Sequence, residues 1–260
     1  MLKNAIRALV RPLGYQINRI PPPEQDPDVS LYREDGLTSW HQHDFMQDPA
    51  FMAAYAVGRQ AMGEAYHAMH WRAHVIAWAG RQALAREGDF VECGVSHGFM
   101  SSILMTLLDW DRHGRTFWLF DTFQGADPRF VSEPEKAAGL MQRNASRITS
   151  GEYATNLEKV EATFAPWQRK RLVVGAVPET LAVVADIRVA FLHIDMNCAP
   201  PERAAIEFFW DRLSPGALVV LDDYGWRDYL PQKLSMDEFA ASKGIEILRL
   251  PTGQGLIIRP

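Results

Sequence analysis

The sequence predicts an α/β protein with a doubly wound, mostly parallel seven-stranded sheet, an antiparallel C-terminal hairpin and an N-terminal helical extension. Two observations lead to this fold class. From residue 89 onward, five short apolar runs alternate with helical patterns, as in a parallel sheet that is covered by helices. The last two apolar runs, 245–250 and 255–260, are separated only by PTGQ, and so short a connection favours an antiparallel pair.

The N-terminal part of the chain divides into three segments before the sheet begins. Residues 1–20 combine helically spaced apolar side chains with basic ones, which predicts a basic amphipathic helix. Residues 21–44 start with the proline-rich run PPPEQDPD and predict an extended linker. Residues 45–87 predict helices, including a long amphipathic one over 69–85, and residues 88–260 predict the α/β domain.

The elements of the α/β domain follow from local patterns. Apolar runs predict strands, and periodic runs that begin near proline or end near glycine predict the helices between them. The predicted strands are 89–95, 116–121, 171–177, 188–195 and 216–223. The predicted helices are 99–108, 133–165 with breaks at Gly139 and Gly151, 178–185, 201–213 and 231–243.

Composition narrows the class of protein. A formal net charge of −5 argues against general nucleic-acid binding, which needs a dominant basic surface. The two cysteines, Cys93 and Cys198, cannot form a disulfide framework, and we expect both to be reduced in a cytoplasmic protein. A basic helix at 1–20 can also lie on an anionic membrane, although Pro12 keeps it short. The alternative is that this helix packs on its own domain or on a partner subunit.

The stretch FVECGVSHGFMSS has the pattern of a strand, a tight turn and a helix N-terminus, which together can cradle a nucleotide. Gly94 and Gly98 are four residues apart, so the G-x-G-x-x-G spacing of dinucleotide sites is absent. Acidic or small residues lie at or near the ends of all five predicted parallel strands, where ligands bind in such sheets. These are Glu92, Asp121, Gly175, Asp195 and Asp222.

This arrangement favours S-adenosylmethionine (SAM) over NAD. Small residues let the loop backbone approach the amino acid part of SAM, and a carboxylate at Asp121 can accept both ribose hydroxyls. Two alternatives stay open. Glu92 can be a buried acid bonded to a backbone N–H, and Asp121 can cap a helix or turn.

Three carboxylates follow two of the predicted strands. Asp195 ends the fourth strand, and Asp222 and Asp223 end the fifth. If these strands are neighbours, the three acids converge, and a hard divalent cation such as Mg²⁺ would offset their repulsion. Such an ion could lower the pKa of an acceptor hydroxyl, and a carboxylate could then take its proton. The alternative is that Asp222 or Asp223 caps the following loop.

Two histidines have less specific signals. His193 alternates with Asp195 along its strand, and we expect it to pack beside the site rather than to bind a metal ion. His97 lies in the glycine loop, where contact with SAM or substrate and simple solvent exposure are equally compatible with its position.

Five motifs together resemble the TylF-type O-methyltransferases, which include the macrocin, mycinamicin and novobiocin-pathway sugar methyltransferases. The motifs are GDFVECGVSHGF, LFDTFQG, VGAVPETL, FLHIDMN and LSPGALVVLDDYG, and the resemblance covers about residues 45–258. It implies a class I, Rossmann-like methyltransferase that transfers a methyl group from SAM to a sugar hydroxyl with Mg²⁺. It also implies a homodimer or larger assembly, in which residues 45–87 help to form a lid and an interface.

The resemblance assigns roles to individual residues. Asp195, Asp222 and Asp223 would bind the metal, and Asp195 would also act as general base. Asp121 would hold the ribose. The full set of expected cofactor residues is Glu92, Gly94, Val95, Ser96, His97, Gly98, Phe99, Asp121, Thr122, Gly175, Ala176 and Asp195.

One loop departs from the family pattern. Where the family reads L-D-G-D-x-Y-x-S, this chain reads IDMNCAPP, so the first acid is kept as Asp195 and the second is replaced by Asn197. A macrolide or coumarin acceptor is therefore not supported, and we expect the acceptor to be a hydroxyl of a sugar or of a glycosylated small molecule or glycan. Two other classes remain as alternatives: an NAD-type oxidoreductase, and a non-catalytic protein with the SAM-binding fold.

Overall fold

The computed structural model describes residue 12 and residues 31–260. The helix predicted at 1–20, residue 12 aside, and residues 21–30 of the predicted linker lie outside the described residues. The chain divides into two compact units, one of residues 1–33 and 38–42 and the other of residues 34–37 and 43–260. Strands Tyr32–Glu34 (β1) and Leu37–Ser39 (β2) form a two-stranded sheet within the described part of the predicted linker.

The main sheet contains seven strands in the order β5-β4-β3-β6-β7-β9-β8. The first five are parallel, and β9 pairs antiparallel with both β7 and β8. The predicted mostly parallel sheet with an antiparallel C-terminal hairpin is thus confirmed. The strands are Asp89–Cys93 (β3), Phe117–Asp121 (β4), Lys170–Val174 (β5), Val189–Ile194 (β6), Leu213–Leu221 (β7), Leu248–Arg249 (β8) and Gly255–Ile258 (β9).

Helices cover the sheet, and none in the described residues combines the length and apolar character needed to cross a bilayer. The predicted breaks at Gly139 and Gly151 are confirmed, since both have positive φ and flank one helix. The predicted helix at 178–185 is reduced to a 3-10 turn over Leu181–Val184. The α-helices are Pro49–Met62 (α1), His70–Ala83 (α2), Phe99–Leu107 (α3), Glu133–Ala137 (α4), Leu140–Thr149 (α5), Leu157–Phe164 (α6), Ala199–Trp210 (α7) and Leu230–Lys243 (α8).

The core lies on both faces of the sheet because successive strand residues point to opposite sides. Phe90 of β3 belongs to the core on the side of α1–α3, and its neighbour Val91 belongs to the core on the side of α7 and α8. Both side chains are fully buried, and each such burial contributes about 1.5–3 kcal/mol. A rigid sheet of this kind fixes the strand ends, where the candidate site lies.

Candidate active site

A cavity of about 350 Å³ opens at the carboxyl ends of the central strands. All of the cofactor and metal residues expected from the sequence line it, except Gly98. The structure therefore brings residues from five separate strand ends into one space. The lining members of that set are Glu92, Gly94, Val95, Ser96, His97, Phe99, Asp121, Thr122, Gly175, Ala176, Asp195, Asp222 and Asp223.

The glycines of the first loop are required by close packing. Gly94 has φ +94°, and a Cβ atom there would lie 1.8 Å from the carbonyl oxygen of Asp195. Gly98 has φ +84° and precedes α3, and its Cβ would lie 2.5 Å from Cζ of Phe164. Only glycine therefore fits at either position. Gly94 keeps the loop backbone at the cavity, and Gly98 instead allows the loop to pack on α6.

Asp121 organises two loops with one carboxylate. Its Oδ2 accepts hydrogen bonds from the backbone N–H groups of Val95 at 2.7 Å and Ser96 at 2.8 Å. Its Oδ1 accepts from the backbone N–H of Phe123 at 2.7 Å. Burial raises the pKa of Asp121, and these backbone donors oppose that rise. A carboxylate has about four acceptor positions, so the capping role leaves capacity for a ligand hydroxyl.

Glu92, His193 and Asp222 form a buried chain across three strand ends. Glu92 Oε1 lies 2.8 Å from His193 Nδ1, and His193 Nε2 lies 3.4 Å from Asp222 Oδ1. Burial alone would lower the pKa of His193, but the neighbouring carboxylates of Asp222 and Glu92 outweigh burial and raise that pKa to about 10. These neighbours therefore favour the imidazolium form of the ring. The second oxygen of Glu92, Oε2, is buried and has no hydrogen-bond partner among the residues described.

Asp195, Asp222 and Asp223 form the acidic cluster. β6 and β7 are adjacent, with Ile194 paired to Leu221, so the predicted neighbourhood of their ends is confirmed. Burial raises the pKa of Asp195 well above its ordinary value, and the charges of Asp222 and Asp223 raise it further. The charges of His193 and Arg72 oppose this rise without cancelling it, and a bound cation would relieve the remaining repulsion.

The cluster of possible metal-ligand atoms contains His193 where Asp223 was expected. Ligand atoms of His193, Asp195 and Asp222 lie within 4.8 Å of one another. Both ring nitrogens of His193 already face carboxylates, whereas Asp195 and Asp222 offer the oxygen atoms that a hard divalent ion prefers. Asp223 lines the same cavity and directs Oδ1 toward an arginine. The donor set therefore suits a cation in charge and in ligand type.

That arginine is Arg72 of α2, which sequence reasoning missed. Its Nη2 donates to Asp222 Oδ2 and, at 3.0 Å, to Asp223 Oδ1, and its Nη1 lies 3.3 Å from Asp35 Oδ2. Burial lowers the pKa of Arg72, but the charges of Asp222 and Asp223 outweigh burial and hold it above its ordinary value. A signal was present in the sequence, because Arg72 falls between Met69 and Ile76 on the apolar stripe of its helix.

A second group missed from the sequence forms a polar wall of the cavity. Arg147 Nη1 donates to the hydroxyls of Tyr153 at 2.7 Å and Tyr229 at 2.6 Å, and it lies 3.3 Å from Asn197 Oδ1. Asn197 Nδ2 in turn donates to Asp195 Oδ1 at 3.2 Å. All five residues line the cavity. The wall therefore connects hydroxyl and amide groups directly to the acidic cluster.

The remaining expected residues have mainly local roles. His97 is partly buried, and its Nε2 lies 2.9 Å from the carbonyl oxygen of Gly151. Thr122 donates its hydroxyl to the carbonyl of Gly125 at 2.6 Å, which closes the loop after β4. Burial raises the pKa of the Cys198 thiol, which keeps it protonated and unreactive.

Sequence comparison identifies relatives of this chain. The chain is 31% identical over 149 residues to a rhamnosyl-tetracenomycin C 4'-O-methyltransferase from Streptomyces olivaceus, a match that covers 53% of each protein. It is 26% identical over 145 residues to mycinamicin III 3''-O-methyltransferase from Micromonospora griseorubida, covering 53% of this chain and 55% of that protein. The chain thus spans about half the length of the curated relatives that it matches.

Solved structures show the same fold. The O-methyltransferase NovP has a TM-score of 0.62 at 24% identity, over 72% of this chain and 79% of that one. The calicheamicin methyltransferase CalS11 has a TM-score of 0.54 at 21% identity, over 72% of this chain and 77% of that one. These similarities confirm the class I, Rossmann-like fold.

The family itself is identified by sequence. Residues 52–248, more than half of the chain, match the profile of the macrocin O-methyltransferases (TylF). The matched range contains α2, the glycine loop, Asp121 and the whole acidic cluster. The chain belongs to the macrocin O-methyltransferase (TylF) family.

Proposed function

We propose that this protein transfers a methyl group from SAM to a hydroxyl of a sugar or of a glycosylated small molecule. The observation that carries the proposal is the single cavity that joins the glycine loop to the acidic cluster. Membership of the family supports it. So do the names of the two curated relatives, each of which is a methyltransferase that acts on a hydroxyl oxygen of a glycosylated compound.

The loop after β3 fits the cofactor. A side chain at residue 94 would meet the backbone of Asp195, so the turn can be made only by glycine and leaves its backbone open to a ligand. Glu92 Oε2 is a buried acceptor with no partner within the described part of the chain, and a polar group of the ligand would satisfy it. Asp121 is proposed to accept ribose hydroxyls, because it lines the cavity and its carboxylate has acceptor capacity left. When bound, SAM would supply an electrophilic methyl carbon at the loop.

The acidic cluster is the proposed site for Mg²⁺, with Asp195 and Asp222 as ligands and Asp223 beside them. When bound, the ion would stabilise negative charge on an acceptor oxygen. Asp195 is the proposed general base. It lines the cavity within the acidic cluster, and the amide of Asn197 donates to its Oδ1 and orients it. A proton taken from the acceptor hydroxyl would therefore rest on Asp195. The acceptor oxygen would gain the methyl carbon as the methyl–sulfur bond of SAM breaks, and the sulfur would keep the electron pair in the leaving S-adenosylhomocysteine.

The acceptor is proposed to lie against the wall of Arg147, Tyr153 and Tyr229. This wall combines aromatic faces with hydroxyl and guanidinium donors, a combination that binds polyhydroxylated rings. Residues 45–87 are proposed to act as the lid, because Met62 and Met69 from that segment also line the cavity. A homodimer or larger assembly, a cytoplasmic location and membrane contact through residues 1–20 stay predictions.

The test is transfer of labelled methyl groups from SAM to a panel of rhamnosylated and other glycosylated compounds. We expect one labelled O-methyl sugar among the products, and label on carbon or nitrogen would contradict the proposal. Asp195→Asn should lower the transfer rate by about 10²-fold or more, because it removes the proton acceptor. Its affinity for SAM should stay within about threefold of wild type, since Asn keeps the same shape. Full activity of Asp195→Asn would sink the assignment of the base.

A further inference from the structure

Arg72 occupies oxygen atoms that the proposed metal site needs. It donates to Oδ2 of Asp222 and to Oδ1 of Asp223. The other oxygen of Asp222, Oδ1, accepts a hydrogen bond from Gln254 Nε2 at 2.8 Å. Arg72 is itself buried, so water screens its charge only weakly. Both carboxylate oxygens of Asp222 are therefore already bonded to donors, one of them a full cation.

Binding a divalent ion beside this guanidinium costs free energy, because both are positively charged. Arg72 Nη2 donates to Asp222, so an ion held by that carboxylate would stand close to the guanidinium charge, and like charges repel strongly at low dielectric. A histidine or lysine could relieve the repulsion by losing a proton, but an arginine in a protein does not. Arg72 keeps its charge, so moving its side chain away from Asp222 is a way to relieve this repulsion.

The structure offers Arg72 a second partner. Its Nη1 lies 3.3 Å from Oδ2 of Asp35, a largely buried acid outside the acidic cluster that also lines the cavity. The ring of Trp226 lies 5.5 Å from the guanidinium carbon and can stack on it. Arg72 Nε is buried with no hydrogen-bond partner in the described region, so a shifted side chain loses no bond at that atom.

We propose that Arg72 competes with the divalent cation for Asp222 and Asp223. Its side chain neutralises the two carboxylates when no ion is bound and shifts toward Asp35 when one binds. The proposal rests on the proposed function of the acidic cluster as a metal site. It gives Arg72 the role of setting ion affinity and of keeping the cluster stable without an ion. It assigns Arg72 no contact with the reacting atoms.

The test uses Mn²⁺ as the probe and the full chain as the protein, with free Mn²⁺ measured by electron paramagnetic resonance. Arg72→Met should tighten the Kd for Mn²⁺ by about tenfold or more, because the competing charge is gone. Asp35→Asn should weaken it by about threefold, because Arg72 loses its second carboxylate. Arg143→Met is the matched control. It removes a cation of the same cavity that donates to the backbone carbonyl of Ala138 and not to the acidic cluster, and should change Kd by less than about threefold.

The outcomes separate this proposal from the proposed function. An unchanged or weaker Kd in Arg72→Met, with Mn²⁺ still bound by wild type, overturns the competition and leaves the metal site standing. If Arg72→Met binds Mn²⁺ and wild type does not, the result supports a competition strong enough to keep the ion out of the wild-type cluster. If neither protein binds Mn²⁺, both the competition and the metal site fail. Should Arg72→Met not fold, Asp35→Asn decides, because an equal or tighter Kd in that variant contradicts the proposal.

Discussion

The loop residue Gly94 lies against the backbone of Asp195, so close that a Cβ atom on Gly94 would sit 1.8 Å from the Asp195 carbonyl oxygen. The contact joins the ends of β3 and β6. It ties the turn that would hold SAM to the residue that would take the proton. Any side chain at position 94 must therefore separate two parts of the proposed site.

Gly94→Ala should weaken SAM binding by more than about tenfold, because the positive φ and the backbone contact both exclude a Cβ atom. Isothermal calorimetry with SAM measures the loss. Gly114→Ala is the control, because Gly114 also has a positive φ, +68°, but nothing lies within 4 Å of a Cβ atom there. That variant should lose about 1 kcal/mol of stability and keep its SAM affinity. Equal SAM affinities in the two variants would contradict the role of Gly94.

Asp121→Asn should weaken SAM binding by about tenfold or more, because an amide has one acceptor oxygen in place of two and cannot hold both loops. Calorimetry checks the affinity, and circular dichroism checks the fold. Asp89→Asn is the matched control. Asp89 lies at the opposite end of β3 and also accepts a backbone N–H, that of Thr116, at 2.9 Å. It should leave SAM affinity unchanged, and a similar loss in both variants would mean that Asp121 acts only on stability.

Glu202 should make the protein less stable as the pH rises. Burial raises the pKa of Glu202 from 4.5 to about 8, although Gln232 donates a hydrogen bond to it at 2.8 Å. Between these values the unfolded chain has lost the proton and the folded protein keeps it. Stability therefore falls with pH in that window by about 1.4 kcal/mol per unit from this one group, and no further above pH 8.

Urea unfolding at pH 5.5, 6.5 and 7.5 measures that slope. Glu202→Gln should make the slope less steep by about the same amount, because the neutral amide does not titrate. Glu207→Gln is the control on the same helix, since Glu207 is half-exposed in an ion pair with Arg203. It should keep the wild-type slope. If Glu202→Gln keeps that slope as well, the buried acid is not the cause.

The strand ends were predictable because parallel β-sheets obey simple rules. Alternating apolar runs placed Asp121, Asp195 and Asp222 at carboxyl ends, and such ends meet along one edge of a sheet. Right-handed crossovers then leave few possible strand orders, and the observed order, in which β6 lies beside β7, is one of them. The glycine loop was predictable because the backbone conformation of a tight turn depends on the residue types within the turn itself.

The charges that complete the site were not predictable in this way. Arg72 and Arg147 lie on helices whose packing angle and rotation depend on the whole core, and no local pattern states which strand end they reach. Arg72 alone gave a signal, as a charged residue on an apolar helix face. The capping bonds of Asp121 likewise depend on loop conformations that residue types do not specify.

Calorimetry of the full chain with SAM and with NAD, each with and without Mg²⁺, tests the central claim most directly. We expect one saturable SAM site per chain and no heat of binding with NAD, because the loop after β3 lacks the closely spaced glycines of a dinucleotide site. Binding of NAD without binding of SAM would contradict the methyltransferase function at its foundation.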